Sequence, residues 1–179
     1  MSASAREFAL APMSAAPWLV MGGTAVAVLV LVLALPDADV SPAGRAGVAL
    51  VAALLLALPL LAMRRRRIAL DGDLLLVWAT FYTRRVPVAA LDLARARVVD
   101  LAEHTDYAPM LGINRFGLPG LAAGHFLLRN RARAFCLLTD RRRVLVLPQR
   151  DGPTLLLSPE RPRDLLDALG AMAGGGRRR

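Results

Sequence analysis

The sequence predicts an α+β membrane protein in which a hairpin of two transmembrane helices precedes a β domain. We expect that domain to be a bent antiparallel sheet, or partly open barrel, of about seven strands with one C-terminal helix. The chain of 179 residues is 56% hydrophobic and 21% charged, which is too apolar for an ordinary soluble domain of this length. Its apolar excess lies in two blocks before residue 64, and short strand-like runs follow.

The two apolar blocks have the length of membrane spans. Residues 15–35 carry no charge and, at about 1.5 Å per residue, cover roughly the 30 Å of a bilayer core. Residues 46–63 are 18 uncharged residues, within the range of about 17 to 25 for a spanning helix. A domain this small could not bury two such helices, and a signal peptide has a shorter apolar core. We therefore predict a helical hairpin over 15–63, with a loop at 36–45.

Arginine placement predicts the orientation of this hairpin. Four consecutive arginines directly follow the second block, whereas the loop has one arginine against Asp37 and Asp39. Positive charge favours the cytoplasmic side, so residues 1–14, 64–172 and 173–179 are predicted to be a cytoplasmic tail, domain and disordered basic tail. The same arginines are candidate contacts for anionic headgroups, at about 1 kcal/mol each. They are Arg64, Arg65, Arg66 and Arg67.

Short β-rich runs and turn residues organise the rest of the chain. Asp71-Gly72-Asp73 predicts a hairpin, and Pro87, which has no N–H to donate, is expected to break the pairing. Leu165, Leu166, Leu169 and Met172 are spaced to form the apolar face of a closing helix. The predicted strands are 68–70, 74–83, 96–101, 125–128, 134–138, 144–148 and 154–157.

Glycine, proline and apolar residues mark five segments of the chain: Leu70–Asp73, Tyr82–Pro87, Gly117–Gly120, Ala123–Phe126 and Leu157–Pro159. Through these segments, residues from about 64 to 172 resemble the bacterial pleckstrin-homology-like (PH-like) domains that follow one or two transmembrane helices. The resemblance implies a membrane-tethered cytoplasmic binding or scaffolding module. Together with the two apolar blocks and the arginine placement, it predicts a multi-pass protein of the bacterial inner (plasma) membrane whose cytoplasmic domain binds a protein partner or the membrane surface. In eukaryotic relatives basic residues at the first hairpin hold phosphoinositide. Asp71 and Asp73 stand there, which argues against inositide recognition.

Within the long polar and glycine-rich stretch 102–124, residues 112–120 are predicted to form an ordered loop, which is the best candidate for a binding surface. Apolar residues held by glycines near a membrane could enter the interface or receive a protein partner, and both possibilities stay open. The residues singled out are Phe116, Gly117, Leu118, Pro119 and Gly120.

Other candidate sites have weaker support in the sequence. Two arginine groups, 129/131/133 and 141/142/143, flank turns at opposite ends of one predicted strand and are interpreted as solvated. Glu103, His104, Asp106 and His125 offer too few convergent ligands for zinc. Cys136 has no neighbouring base and is expected to be a buried hydrophobe. We predict no enzyme, catalytic residue, metal site, cofactor or nucleic-acid partner. The alternatives are a subunit of a transport or envelope complex and, less favoured, a small metal-dependent membrane enzyme.

Overall fold

The computed structural model describes residues 6–34 and 41–175, and within these ranges it contains three α-helices and ten β-strands. The helices are α1 (Ala16–Leu33), α2 (Pro42–Arg64) and α3 (Pro162–Gly175). The first strands are β1 (Arg6–Phe8), β2 (Arg66–Asp71), β3 (Leu74–Ala79), β4 (Tyr82–Pro87) and β5 (Arg97–Val99). The others are β6 (Pro109–Leu118), β7 (Leu121–Leu128), β8 (Arg133–Leu138), β9 (Val144–Leu147) and β10 (Thr154–Leu157).

The strands form two sheets, of order β1-β2-β3-β4 and β5-β9-β10-β8-β7-β6. The α+β class with an N-terminal helix pair and a C-terminal helix is confirmed. The prediction of a wholly antiparallel sheet is wrong, because β10 runs parallel to β8 with Thr154 opposite Ala134. Predictions about residues 1–5, 35–40 and 176–179 lie outside the described residues.

Helix α2 begins earlier than the sequence analysis expects. The Ser41 hydroxyl accepts a hydrogen bond from the Gly44 N–H at 3.1 Å, and Pro42 follows the cap, so Arg45 lies in the first turn and not in a loop. Among the described residues one helix, Ala43–Arg64, is long and apolar enough to cross a membrane. The apolar stretch Ala16–Leu31 of α1 is shorter than the 18 residues that this criterion requires. These helices are consistent with membrane association.

The segment before α1 belongs to the β domain and is not merely a tail. Strand β1 pairs antiparallel with β2, which follows α2 directly, and places Glu7 opposite Ala69. The chain then continues along the second sheet, where the Ala11 N–H donates to the Ser158 carbonyl at 2.9 Å. The β1–β2 pair therefore joins both ends of the helix pair to the four-stranded sheet.

Two further segments differ from their predicted structure. The predicted strand 74–83 folds back at Thr80–Phe81 into the β3–β4 hairpin, and Pro87 ends β4 opposite Leu74. Because β4 is the edge of its sheet, the missing N–H of Pro87 need not break the ladder. The prediction of a loop at 112–120 is wrong, because these residues form the end of β6 and the turn of the β6–β7 hairpin. Irregular pairing around Met110 and Ile113 in edge strand β6 hides the alternation that identifies a strand.

The main core lies between the inner faces of the two sheets and under α3. Leu165 and Leu169 of α3 are fully buried there, whereas Leu166 lies at the margin and is only partly buried. Alternation along β3 and β8 supplies the facing side chains, among them Val77 and Phe135. A second cluster around Phe126 and Cys136 covers the opposite face of the six-stranded sheet.

Replacing Leu169 with Asp should unfold the domain more readily than the same change at Leu166. The first change buries an unpaired carboxylate and should lower the free energy of unfolding by more than about 3 kcal/mol. The second leaves the carboxylate access to water and should cost less than half as much. Circular dichroism during denaturation of the detergent-solubilised chain measures both. Equal losses would contradict this placement of α3.

Candidate functional site

One end of the β domain, which we call the helix-proximal end, is the end from which α1 and α2 leave. Strand β2 runs away from α2, β3 returns, and β4 starts again at Tyr82. The turn between β3 and β4 therefore lies beside the end of α2, where the Thr80 N–H donates to the Arg65 carbonyl at 3.0 Å. The Asp71–Asp73 hairpin lies at the far end.

The β3–β4 turn is strained and presents an aromatic side chain. Thr80 is buried and has φ of +61°, a conformation that β-branched residues rarely adopt and that costs about 1–3 kcal/mol. The turn leaves Phe81 56% exposed. The Phe81 ring lies edge-to-face with Phe116 of β6, with 5.4 Å between their centroids. This contact joins the segment after α2 to the predicted binding segment.

The tip of the β6–β7 hairpin lies against the entry to α1. Gly120 has φ of +83°, and a Cβ there would lie 2.5 Å from the Ser14 Oγ and 3.7 Å from the Pro17 Cδ. Gly120 thus permits both the turn and its close approach to the chain. The structure brings the predicted residues 116–120 to the helix-proximal end. Gly117, Pro119 and Gly120 are exposed, whereas Phe116 and Leu118 are partly buried.

The four consecutive arginines have different environments. Arg66 is partly buried, its Nε donates to the Met63 carbonyl, and burial lowers the pKa of its guanidinium. Arg67 is exposed and forms an ion pair with Glu7 at 3.3 Å. Arg64 and Arg65 are exposed. With Arg67, Leu61 and Trp78 they line an open cavity of about 420 Å³ at the end of α2. Arg66 therefore differs from the three arginines that could meet a headgroup.

A further basic turn belongs to the same end of the domain. Strand β8 runs toward it, since Leu138 pairs with Ala122 next to the β6–β7 turn. The following residue, Thr139, donates from its hydroxyl to the Ala11 carbonyl at 2.7 Å. The turn bearing arginines 141–143 is therefore helix-proximal, and the 129/131/133 group lies at the far end. Sequence spacing separates these groups but does not indicate which one faces the helices.

The predicted metal-ligand candidates do not converge. Glu103, His104 and Asp106 are exposed, while the His125 ring packs 5.1 Å from Phe135 on the inner face of the six-stranded sheet. In the parts of the chain that the structure describes, no three His, Cys, Asp or Glu side chains are placed to hold a metal ion. Cys136 is buried, and its burial raises the pKa of the thiol, which disfavours the nucleophilic thiolate.

A cleft that the sequence pattern does not predict lies between β4 and the six-stranded sheet. The cleft has a volume of about 380 Å³ and is lined by Arg84, His125 and Arg133 together with apolar side chains. The Arg84 Nε is buried and lacks a hydrogen-bond partner among the described residues. Burial, and secondarily the charge of Arg84, lowers the pKa of His125. Recognition of β4 as a strand would have revealed Arg84 on its inner face.

Comparison of the chain with protein-family models, with curated proteins and with solved structures finds no match in any of the three. The resemblance to PH-like domains stays a prediction from the sequence. The functional proposal rests on the geometry of the helix-proximal end and on the distribution of charge.

Proposed function

We propose that the protein is a membrane-anchored binding module of the bacterial inner membrane whose PH-like domain lies on the cytoplasmic leaflet. In this proposal the domain binds the anionic membrane surface through a helix-proximal rim. We define that rim as Arg64, Arg65, Arg67, Phe81, residues 116–120 and residues 141–143. The observation that carries the proposal is the position of these groups around the exits of α1 and α2.

The β1–β2 pair supports a hairpin that crosses the membrane twice. Because β1 precedes α1 and pairs with β2 after α2, both ends of the helix pair must lie on the same side of a bilayer. If α2 crosses, α1 must cross as well. Its 18 residues at about 1.5 Å each extend nearly the thickness of the hydrocarbon core. Large apolar side chains such as Leu29 and Leu54 are exposed on both helices, as lipid contact requires.

The rim has the chemistry of a surface that rests on headgroups. Each arginine near an anionic leaflet contributes about 1 kcal/mol, and exposed aromatic rings favour the interface. Trp18 lies in the first turn of α1 and Trp78 lies beside Arg64, so both are at the helix-proximal end with the rim. The helices leave from this end, so the rim faces the bilayer if they insert. This geometry favours the membrane surface over a soluble protein as the binding partner of the rim.

A second candidate function is membership of a transport or envelope complex. The observation that favours it is an apolar groove of about 740 Å³ between α1 and α2, lined by residues such as Met21, Val48 and Leu55. Lipid chains would fill the same groove in an isolated protein. We therefore rank this function second.

The proposed orientation is tested by reporter fusions at Val40 and Gly175. The arginines after α2 should keep the β domain in the cytoplasm, so a fluorescent reporter should be active at Gly175 and alkaline phosphatase at Val40. Phosphatase activity at Gly175 would overturn the orientation.

Docking of the rim is tested with a single tryptophan at either end of the domain. In a chain lacking Trp18 and Trp78, Leu118→Trp places an indole in the rim and Leu74→Trp places one at the far end. In nanodiscs containing brominated lipid, we expect quenching of the first indole only, and more of it with phosphatidylglycerol than with phosphatidylcholine alone.

Charge variants provide the matched control for this measurement. Arg64→Gln with Arg65→Gln should weaken docking by about 2 kcal/mol at low salt, because two arginines leave the anionic surface. Arg129→Gln with Arg131→Gln removes the same charge from the far end and should change the quenching little. Equal quenching of the two indoles, or equal effects of the two double variants, would contradict docking through the rim.

A further inference from the structure

The cleft between β4 and the six-stranded sheet has a cationic wall on each side. Arg84 pairs with Val77, which in turn pairs with Ile68, and both of these apolar side chains are fully buried in the main core. Directly opposed residues of a sheet project to the same face, so Arg84 also projects from the inner face. Arg84 is therefore a cationic side chain in a row that otherwise faces the core.

The opposite wall comes from β7 and β8. His125 is directly opposite Phe135, whose side chain is buried in the main core. Arg133 lies two residues before Phe135 in β8, so alternation places it on this inner face as well. Among the residues that the structure describes, none with a carboxylate side chain lines the cleft. Three strands thus supply two guanidinium groups and an imidazole to one space.

The two walls meet on the helix-proximal side of this space. The Tyr82 hydroxyl forms a 2.7 Å hydrogen bond with the Asn114 Oδ1, and the Tyr82 ring packs over Gly124. A Cβ on Gly124 would lie 2.9 Å from that ring and 2.5 Å from the Asn114 carbonyl oxygen, so glycine permits the approach. Beyond this contact the cleft opens to about 380 Å³, within the range of small-molecule sites.

We propose that this cleft binds a small soluble organic oxyanion, whose phosphate or carboxylate group lies between Arg84 and Arg133 beside His125. Guanidinium groups bind both oxyanions through paired hydrogen bonds. An oxyanion oxygen would also supply the acceptor that the buried Arg84 Nε lacks among the described residues. Ile113 and Pro153 line the same cleft and can cover an apolar body. The site is independent of the proposed membrane docking.

The position of the cleft favours a soluble ligand over a lipid headgroup. His125 lies four residues along β7 from Leu121, which is about 13 Å from the hairpin tip at the usual rise of a strand. Headgroups that contact the rim would therefore lie at the near end of the domain, and the cleft would open beyond them. A phosphate group from either source would have the same chemistry, so the experiment includes both.

The protonation of His125 should respond to an anion bound in the cleft. Burial and the nearby Arg84 lower the pKa of His125, because both disfavour its protonated form. A bound anion would favour that form and raise the pKa. The imidazole could then donate a third hydrogen bond to the ligand. Binding should therefore be tighter at a pH low enough to protonate His125.

The experiment follows the His125 Cε1–H by NMR in the full chain in phosphatidylcholine nanodiscs. The chain has two histidines, and His104→Gln assigns the signal. Phenyl phosphate should shift the signal saturably and raise the pKa of His125 by about 1, while neutral benzyl alcohol should do neither. Inorganic phosphate should bind at least tenfold more weakly, because it lacks the apolar body. The shift should appear whether or not the domain docks on anionic lipid.

Adjacent arginines on opposite faces of β4 supply the matched variants. Arg84→Gln should abolish the saturable shift, Arg84→Lys should retain weakened binding, and Arg85→Gln on the outer face should change little. The buried Cys136 should stay unreactive toward a thiol reagent in every variant that remains folded.

Two results would overturn the proposal. The first is the absence of a saturable shift of the His125 signal when phenyl phosphate is added to the unsubstituted chain up to about 10 mM. Arg84 would then be an inward-facing charge that protects an edge strand from pairing. A shift that phosphatidylglycerol nanodiscs produce and phenyl phosphate does not would assign the cleft to a lipid headgroup.

Discussion

The short ladder between β1 and β2 is the constraint on which the rest of the structure depends. It joins the chain that enters α1 to the chain that leaves α2, with Phe8 opposite Ile68. The segment that follows β1 also forms hydrogen bonds with residues at the ends of strands in the second sheet: the Ala11 N–H donates to Ser158, and the Ala11 carbonyl accepts from Thr139. The ends of the helix pair are thus held by both sheets. The exposed ion pair between Glu7 and Arg67 adds little to this, because water screens it.

This arrangement gives the domain two chemically different ends. The helix-proximal end has the arginines after α2 and after β8, together with Phe81 and the β6–β7 tip. The far end has Asp71 and Asp73 in the first hairpin. A domain held by its helices at an anionic leaflet would therefore meet lipid through its basic end and keep its acidic hairpin away from the membrane. The inner cleft is separate from both ends.

Much of the architecture could be predicted because it follows from local pattern. The apolar blocks, the Asp-Gly hairpin and the apolar face containing Leu165 and Leu169 each leave a clear signal in sequence. Strand β1 was missed because three residues are too short to show alternation. Strand β6 was missed because its glycines and irregular pairing interrupt the pattern. The cleft was missed because Arg84 meets His125 and Arg133 only through tertiary packing of two sheets.

Cysteine cross-linking across the β1–β2 ladder tests this account most directly. In a Cys136→Ala chain in isolated membranes, Glu7→Cys with Ala69→Cys places two thiols directly opposite one another, within reach of a disulfide. The account predicts that mild oxidation cross-links this pair nearly completely and leaves Glu7→Cys with Asp71→Cys, two residues out of register, largely reduced. Failure of the first pair to cross-link, or equal cross-linking of both pairs, would contradict the ladder that holds the helices and the rim together.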